Sequence, residues 1–343
     1  MIVVISHAAD LHATTVIDRL ESWGQETVLL DYARFPHEQT LTIDYATTER
    51  PVDPAERATA QDRPGRHAQE ARTAAPAVRV ADASGRATDL TGATAVWWRR
   101  PQLVDVGGIV DDDARGFAYG EWHEALGGLH ELLGCPWMNS PPLDAAASHK
   151  STQLAVARAL GLRVPRTLLT SDPGEARAFV DRVGAGSTVY KIFAATERVW
   201  RETRRLRSAD LDLLDTLRLA PVIFQEFVPA AADIRVTVVG DQVFPLAIDS
   251  SGTGYDADFR LHMERARTSA TALPDDVAGR LRALLQRLGL VYGAIDLRLT
   301  PEGEYVFLEV NPAGEFLFAE HGSGLPITDA VAGWLAGRRP GAG

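Results

Sequence analysis

Asp296, Glu309 and Asn311 are the residues whose types and spacing point most directly to chemistry. They lie in Gly293–Gly314, GAIDLRLTPEGEYVFLEVNPAG. Val291–Leu299 and Tyr305–Val310 are rich in strand formers, and Pro301-Glu302-Gly303 between them is a turn signal. A two-residue loop at Glu302 and Gly303 puts Asp296 opposite Glu309 in an antiparallel pair, with Asn311 two residues on and on the same face. The same register pairs Ile295 with Val310, Leu297 with Leu308 and Leu299 with Val306 on an apolar face. Two carboxylates and a carboxamide suit a hard divalent cation such as Mg²⁺, and suit zinc poorly because neither Cys nor His accompanies them. The competing reading is a hairpin with a solvated polar face. Arg298, on the polar side of that ladder, adds a candidate contact for a substrate anion.

Further basic and acidic residues precede this hairpin in a fixed order. Lys150 sits in an amphipathic helical pattern, where a solvated helix lysine is the plain alternative. Lys191 lies between Tyr190 and Ile192 in a strand pattern, out of character for a surface lysine. Next come the strand Phe224-Gln225-Glu226-Phe227-Val228, then Asp233-Ile234-Arg235, then Arg260 after Asp258-Phe259 in a polar loop. Arg235 and Arg260 are candidates to stabilise charge on a transferring group, with a solvated loop arginine equally open for Arg260. Near the N-terminus, AVWWRR ends in Arg99 and Arg100, either a pair for a substrate carboxylate or the solvated end of an edge strand with Trp97 packed inward.

The elements that must hold these residues are those of an α/β and α+β protein. Ile2–Ser6, Ala13–Trp23 and Glu26–Asp31 read as strand, helix and strand, a βαβ opening without a Gly-rich dinucleotide motif. Thr47–Thr88 is poor in large apolar residues and reads as a mobile insertion with short strands around Ala77–Val80. Asp111–Leu133 is helical, and Ser140-Pro141-Pro142 marks a boundary. Leu143–Leu160 and Pro173–Val183 read as helices, Thr167–Leu169 and Val189–Phe193 as strands, and a helix lies near Leu211–Leu217. Strands Val222–Phe227, Ile234–Val239 and Val243–Asp249 and the helix Asp275–Leu288 lead into the hairpin. The expected partition is an N-terminal α/β domain (1–138), a central subdomain (139–220) and a C-terminal subdomain (221–337).

Composition narrows the class. The chain has 343 residues, 45% of them hydrophobic, enough for more than one core. A formal charge of −11 argues against non-specific binding to nucleic acid or to an anionic membrane. Cys135 is the only cysteine, which excludes an intramolecular disulfide and a cysteine zinc cluster. MIVVIS lacks the basic n-region of a secretory signal, and no uncharged apolar run reaches membrane-spanning length, so the expectation is a soluble cytosolic protein.

Taken in order, Lys150, Lys191, Phe224–Val228, Asp233–Arg235, Asp296, Glu309 and Asn311 resemble the ATP-grasp superfamily over roughly Asn139 to Glu320. The resemblance implies an ATP-grasp fold, in which two α+β subdomains clamp ATP, behind an N-terminal α/β pre-grasp domain. It implies that Lys150 and Lys191 contact ATP and that Gln225, Glu226, Phe227 and Val228 form the hinge that reads adenine. Asp233 would make a ribose-side or nearby polar contact, Arg235 would face the phosphates or acyl group, and Asp296, Glu309 and Asn311 would hold magnesium, two ions in all. Ala194–Trp200, AATERVW, departs from the pattern, because many ATP-grasp enzymes have a glycine-rich phosphate-covering loop after the second lysine.

WWRRP, Asn139-Ser140-Pro141 and EVNPAGEFLF narrow the resemblance to ATP-grasp maturases of ribosomal peptides, the microviridin and graspetide macrocyclases. These are expected to activate Asp or Glu side chains of a precursor peptide as acyl phosphates and join them to Ser/Thr hydroxyls or Lys amines. The partner implied is a precursor with a leader and an acidic, Thr-rich core, which could dock at the insertion or at the basic stretch Arg198–Arg207; a homodimer is also expected. A RimK-type or glutathione-synthetase-like ligase shares the ATP residues and is the nearest rival. A non-catalytic nucleotide- or peptide-binding module is the rival of another class.

Overall fold

A computed structural model describes residues 1–45, 76–193, 203–249 and 267–338. Contacts divide the chain into two compact units, one of Met1–Asp10 with Gly24–Trp137 and one of Leu11–Trp23 with Met138–Gly343.

The first unit contains β1 (Ile2–Ile5), β2 (Thr27–Leu30), β3 (Gln39–Asp44), β4 (Ala77–Asp82), β5 (Ala87–Asp89) and β6 (Ala95–Trp98). The helix α1 (Leu11–Ser22) belongs to the second unit, while α2 (Asp112–Gly127) and α3 (Leu129–Leu132) belong to the first. A short strand β7 (Trp137–Met138) completes a sheet of order β2-β1-β6-β7, in which β1 pairs parallel to both β2 and β6. The run IVVI is buried at every position, as a central parallel strand covered on both faces requires. One expectation is corrected here: AVWW is an interior strand between β1 and β7, not an edge strand. The short strands expected around Ala77–Val80 are present as β4, which pairs antiparallel with β3 and with β5; insertion residues 47–75 lie outside the described residues.

The second unit carries two antiparallel sheets. β8 (Thr167–Thr170), β9 (Thr188–Lys191), β10 (Arg204–Arg205) and β11 (Val222–Glu226) pair in the order β10-β9-β11-β8. Phe224, Leu168 and Tyr190 pack with Phe179 and Val180 of α6 (Pro173–Val183), and with Leu214 and Leu217 of the 3-10 helix Ser208–Leu219, which spans the helix expected near Leu211–Leu217. Preceding α6, α4 (Pro141–Ala147) and α5 (Lys150–Ala159) replace the expected single helix Leu143–Leu160. The chain breaks at Ser148-His149: Ser148 Oγ turns back to the Asp144 carbonyl, and His149 adopts extended backbone as the N-cap of α5. The break makes Lys150 the first residue of a helix, where a cation opposes the helix dipole unless an anion meets it.

The larger sheet consists of β12 (Ala232–Val239), β13 (Gln242–Asp249), β14 (Arg267–Ala270), β15 (Tyr292–Leu299) and β16 (Tyr305–Asn311) in the order β14-β13-β12-β15-β16. One face is a hydrophobic core. Ile234, Val236 and Val238, Ile295 and Leu297, and Phe307 and Val310 pack against Ala157 of α5 and Leu281, Leu284, Leu285 and Leu288 of α7 (Asp275–Leu288). Asp275 and Asp276 in the first turn and Arg287 in the last complement the dipole of α7, and Gly289 ends it in the left-handed region at φ 72°. The short helices α8 (Leu317–Ser323) and α9 (Ile327–Leu335) follow, and α1 packs on α9, with Arg19 paired to Asp329.

The hairpin register differs from the expected one in an instructive way. Thr300 N–H donates to the Glu304 carbonyl and Gly303 N–H to the Thr300 carbonyl, with Gly303 at φ +86°, so the loop holds three residues, Pro301–Gly303. Next to it Leu299 pairs with Tyr305, and Leu297 pairs with Phe307 rather than Leu308. A bulge then shifts the ladder between Asp296 and Leu297, and beyond it Asp296 faces Glu309 and Ile295 faces Val310. The extra loop residue and the bulge offset each other, so the polar pair falls where a simple two-residue hairpin would place it.

Asp144 of α4 has a buried Oδ2 with no hydrogen-bond partner among the described residues, and desolvation pushes its carboxyl from 3.8 up to about 6. A raised folded-state value stabilises the fold below the unfolded value, and that contribution is lost as pH rises through the folded one. Asp144→Asn is therefore expected to melt above the parent at pH 8, with the difference closing by pH 4, as thermal denaturation across that range would show.

Candidate functional site

The second face of the β12–β15–β16 ladder carries buried charge. Asp233 and Arg235 of β12 stand opposite Arg298 and Asp296 of β15, acid facing base at both steps. Arg298 Nε lies 3.0 Å from Asp233 Oδ1, and Arg235 Nη1 lies 2.6 Å from Asp296 Oδ1. All four residues are under a tenth exposed. Isolated charges at such depth are strongly unfavourable, so the alternation of sign is a condition for this face to exist.

At the next strand the alternation stops. Asp296 faces Glu309 directly, a like-charge pair that is destabilising in a ladder unless cations meet it. Arg235 meets Asp296 from β12, and Lys150 reaches Glu309 from the first turn of α5, Nζ to Oε2 at 2.6 Å. This also resolves the lysine at the helix N-terminus, since Glu309 supplies the anion. Asn311, half-buried opposite Ala294, continues the same face. Among the described residues no trio of His, Cys, Asp or Glu side chains gathers as a metal cluster. The oxygen set is thus a carboxylate pair and a carboxamide, and two carboxylates set against each other fit a hard divalent cation, which would relieve their repulsion.

Glycine matters at one position beside this face. A Cβ at Gly314 would overlap the Ala294 Cβ and lie 2.9 Å from Arg235 Nη2. Arg235 Nη2 donates to the Glu315 carbonyl at 3.2 Å and Tyr292 Oη to the Gly314 carbonyl at 2.7 Å, so the loop after β16 is held against the guanidinium. Arg235 Nε is buried without a hydrogen-bond partner among the described residues.

The smaller sheet holds the remaining candidates. Lys191 of β9 pairs with Ile223 and alternates with Tyr190, whose ring faces α6, so Lys191 projects from the opposite face with Gln225. Gln225 Nε2 donates to Thr167 Oγ1, and Glu226 is tied to Arg166 through both backbone and side chain. The segment after β11 is bound to the larger sheet through Arg298, which donates to the Val228 carbonyl at 2.9 Å. Two guanidinium groups lie over the Phe227 ring, Arg205 at 3.6 Å and Arg298 at 5.5 Å from its centroid. Arg298, expected to meet a substrate anion, is thus committed to Asp233 and the Val228 carbonyl.

Arg99 and Arg100 belong to the first unit. Arg99 is fully buried, its Nε 3.2 Å from Asp10 Oδ2, which also accepts from Ser6 Oγ at 2.9 Å. This corrects the reading of Arg99 as a solvated strand end. Arg100 is half-buried. Arg260, Arg198 and Arg201 lie outside the described residues, as does Ala194–Trp200.

Residues 145–335, more than half of the chain, match the model of the RimK-like ATP-grasp domain. The chain belongs to the RimK-like ATP-grasp family. The ribosomal protein bS6–L-glutamate ligase of Escherichia coli is 25% identical over 209 residues, spanning 60% of this chain and 69% of that protein. Among solved structures, macrocyclase MdnC bound with precursor peptide MdnA from Microcystis aeruginosa is 28% identical, with TM-score 0.79 over 97% of this chain and 98% of that one. The ATP-grasp ligase PsnB complexed with minimal precursor, Mg and ADP is 27% identical, with TM-score 0.75 over 98% and 96%. ATP with Mg²⁺ is what ATP-grasp ligases use.

Two buried carboxamides of this region, Asn139 and Gln153, bond to backbone beside this face, and sequence reasoning gave neither of them a role there. The available signal was a glutamine three residues after Lys150 on the buried side of an amphipathic helix.

Arg298→Met is expected to lower stability by roughly 3–5 kcal/mol, the usual cost of breaking a buried ion pair from one side. Denaturant unfolding measures it, and a loss under about 1 kcal/mol would show that the Asp233–Arg298 pair does not hold the two segments.

Proposed function

We propose that this protein is an ATP-dependent peptide macrocyclase of the graspetide type. It would activate Asp or Glu side chains of a ribosomal precursor peptide and join each to a Ser/Thr hydroxyl or a Lys amine. The observation that carries this reading is similarity to MdnC over nearly the full length of both chains, the N-terminal unit included, together with the charged β12–β15–β16 face.

The chemistry follows from charge. A peptide carboxylate must approach the γ-phosphate of ATP, anion against anion, so fixed cations are needed around both. Lys150 and Lys191 are assigned to the nucleotide, and Gln225 to Val228 to its base, with Asp233 on the ribose side. Arg235, locked by Asp296 and the Glu315 carbonyl, offers a preorganised guanidinium to the transferring or acyl group. Asp296, Glu309 and Asn311 would hold Mg²⁺, two ions in this proposal, which when bound supplies charge neutralisation at the phosphate oxygens. A carboxylate oxygen bonds to the γ-phosphorus as the bond to ADP breaks, giving an acyl phosphate. The hydroxyl or amine then adds to the carbonyl and loses its proton, and phosphate departs. Each ring costs one ATP, and the peptide loses one water. Holding donor and acceptor of one peptide together favours cyclisation over hydrolysis.

Halves 139–220 and 221–337 are proposed as the clamp, with Arg100 and Arg260 as further contacts for the acidic peptide; Arg99, buried against Asp10, is left to the structure of the first unit. A leader-bearing, Thr-rich acidic precursor, a homodimer and a cytosolic setting complete the reading. Among the described residues no helix is long and apolar enough to cross a membrane.

A second reading, a RimK-type ligase adding an amino acid to a peptide, draws on the family match and the bS6 ligase relative. Mass spectrometry separates the two. A candidate precursor with enzyme, ATP and Mg²⁺ is expected to lose ~18 Da per ring, while Glu309→Gln turns over at least about a hundredfold more slowly because several kcal/mol of metal-borne stabilisation is lost. A gain equal to an amino-acid residue would reject macrocyclisation in favour of the second reading.

A further inference from the structure

β16 is the last strand of the larger sheet, and among the described residues no further strand pairs along its outer edge. Its backbone is nevertheless bonded along that edge. Near the loop, Phe307 N–H donates to the Arg163 carbonyl at 2.8 Å. Past the bulge, the Gln153 carboxamide takes the place of a neighbouring peptide group. Val310 N–H donates to Gln153 Oε1 at 3.0 Å, and Gln153 Nε2 donates to the Val310 carbonyl at 2.8 Å. Gln153 Nε2 also donates to the Ala147 carbonyl, which pins the side chain to the end of α4. One step further, Asn139 Nδ2 donates to the carbonyls of Pro312 and Tyr292, both at 2.9 Å, while its Oδ1 accepts from Val291 and Tyr292 N–H. Gln153 is 2% exposed and Asn139 1% exposed, so neither bond set competes with water.

These bonds bracket Glu309 and Asn311. Gln153 fixes the backbone between them, and Asn139 fixes it directly after Asn311. Gln153 also lies one helical turn from Lys150, so a single turn of α5 grips the Val310 backbone and the Glu309 carboxylate together. We propose that Gln153 and Asn139 are positioning residues of the nucleotide–metal site: the Gln153 carboxamide takes the place of a strand at the outer edge of β16, the Asn139 carboxamide joins the start of β15 to the chain directly after Asn311, and together they set where Glu309 and Asn311 present their oxygens. The inference rests on the reading of that face as a site for ATP and Mg²⁺. Asn139 suits its place for a second reason: it sits at φ 56°, a left-handed conformation that asparagine tolerates better than most residues.

Two variants test the proposal. Gln153→Met keeps the length of the side chain and removes every bond, and Asn139→Asp keeps the acceptor while removing the donors. Val277→Ala, a truncation in the same core on α7, controls for general loosening. Amide hydrogen exchange in the nucleotide-free protein reads the edge directly: Gln153→Met is expected to expose the Val310 amide while Leu297 on β15 stays protected. Mn²⁺ binding in the presence of ADP, followed by electron paramagnetic resonance, reads the ligands, and about tenfold or greater weakening is expected in Gln153→Met and Asn139→Asp but not in Val277→Ala. Faster Val310 exchange with parental Mn²⁺ affinity would overturn the positioning role, as would equal weakening in Val277→Ala. If Gln153→Met does not fold, Asn139→Asp decides by the same comparison. A parent protein that binds no Mn²⁺ with ADP would instead overturn the nucleotide–metal reading of the face, and the inference with it.

Discussion

The structure of the second unit depends on charge balance across one buried sheet face. Four residues of β12 and β15 alternate in sign, and each carboxylate has its guanidinium within hydrogen-bond distance. Moving such groups out of water is costly, and the cost is met only if every charge keeps its partner. That requirement fixes the pairing of β12 with β15 as firmly as the apolar face does. It also explains why the chain can place Asp296 opposite Glu309. Arg235 and Lys150 approach this like-charged pair from either side, so the ladder survives with two carboxylates aimed at one place.

The rest of the unit serves that arrangement. The break between α4 and α5 puts Lys150 at a helix start, where Glu309 is its counter-charge. Arg298 ties the segment after β11 to the larger sheet through the Val228 carbonyl, so that segment and the strand bearing Asp296 share one anchor. Gly314 leaves room for the Arg235 guanidinium, which in turn holds the following loop. A face built this way is stiff and preorganised, and phosphoryl transfer between two anions asks for that above all.

Much of this was legible in the sequence because two periodicities coincide in the hairpin. The apolar set Ile295, Leu297 and Val310 marks one face, and the polar set marks the other. The loop type and the bulge at Leu308 were not legible, since each shifts the register by one residue and their effects cancel at Asp296 and Glu309. Arg99 misled for a different reason: in sequence nothing links it to Asp10, 89 positions away, and the fold alone makes the buried pair. The bonding of the Asn139 and Gln153 carboxamides was silent because their partners are backbone groups, which carry no residue-type signal, although Asn139 stood in a motif that marked the resemblance. The helix expected over Leu143–Leu160 failed at Ser148-His149, where side-chain bonding to the preceding turn competes with helix continuation.

Membership of the RimK-like ATP-grasp family fixes the energy source, and the proposed function turns on which atom ATP activates. The most direct measurement follows oxygen. A precursor peptide labelled with ¹⁸O in its Asp and Glu side-chain carboxylates is incubated with enzyme, ATP and Mg²⁺, and the released phosphate is weighed by mass spectrometry. Side-chain activation predicts one ¹⁸O in the phosphate for each ring formed, because the carboxylate oxygen leaves with phosphorus. Phosphate without the label, alongside a peptide that has nevertheless changed mass, would contradict it.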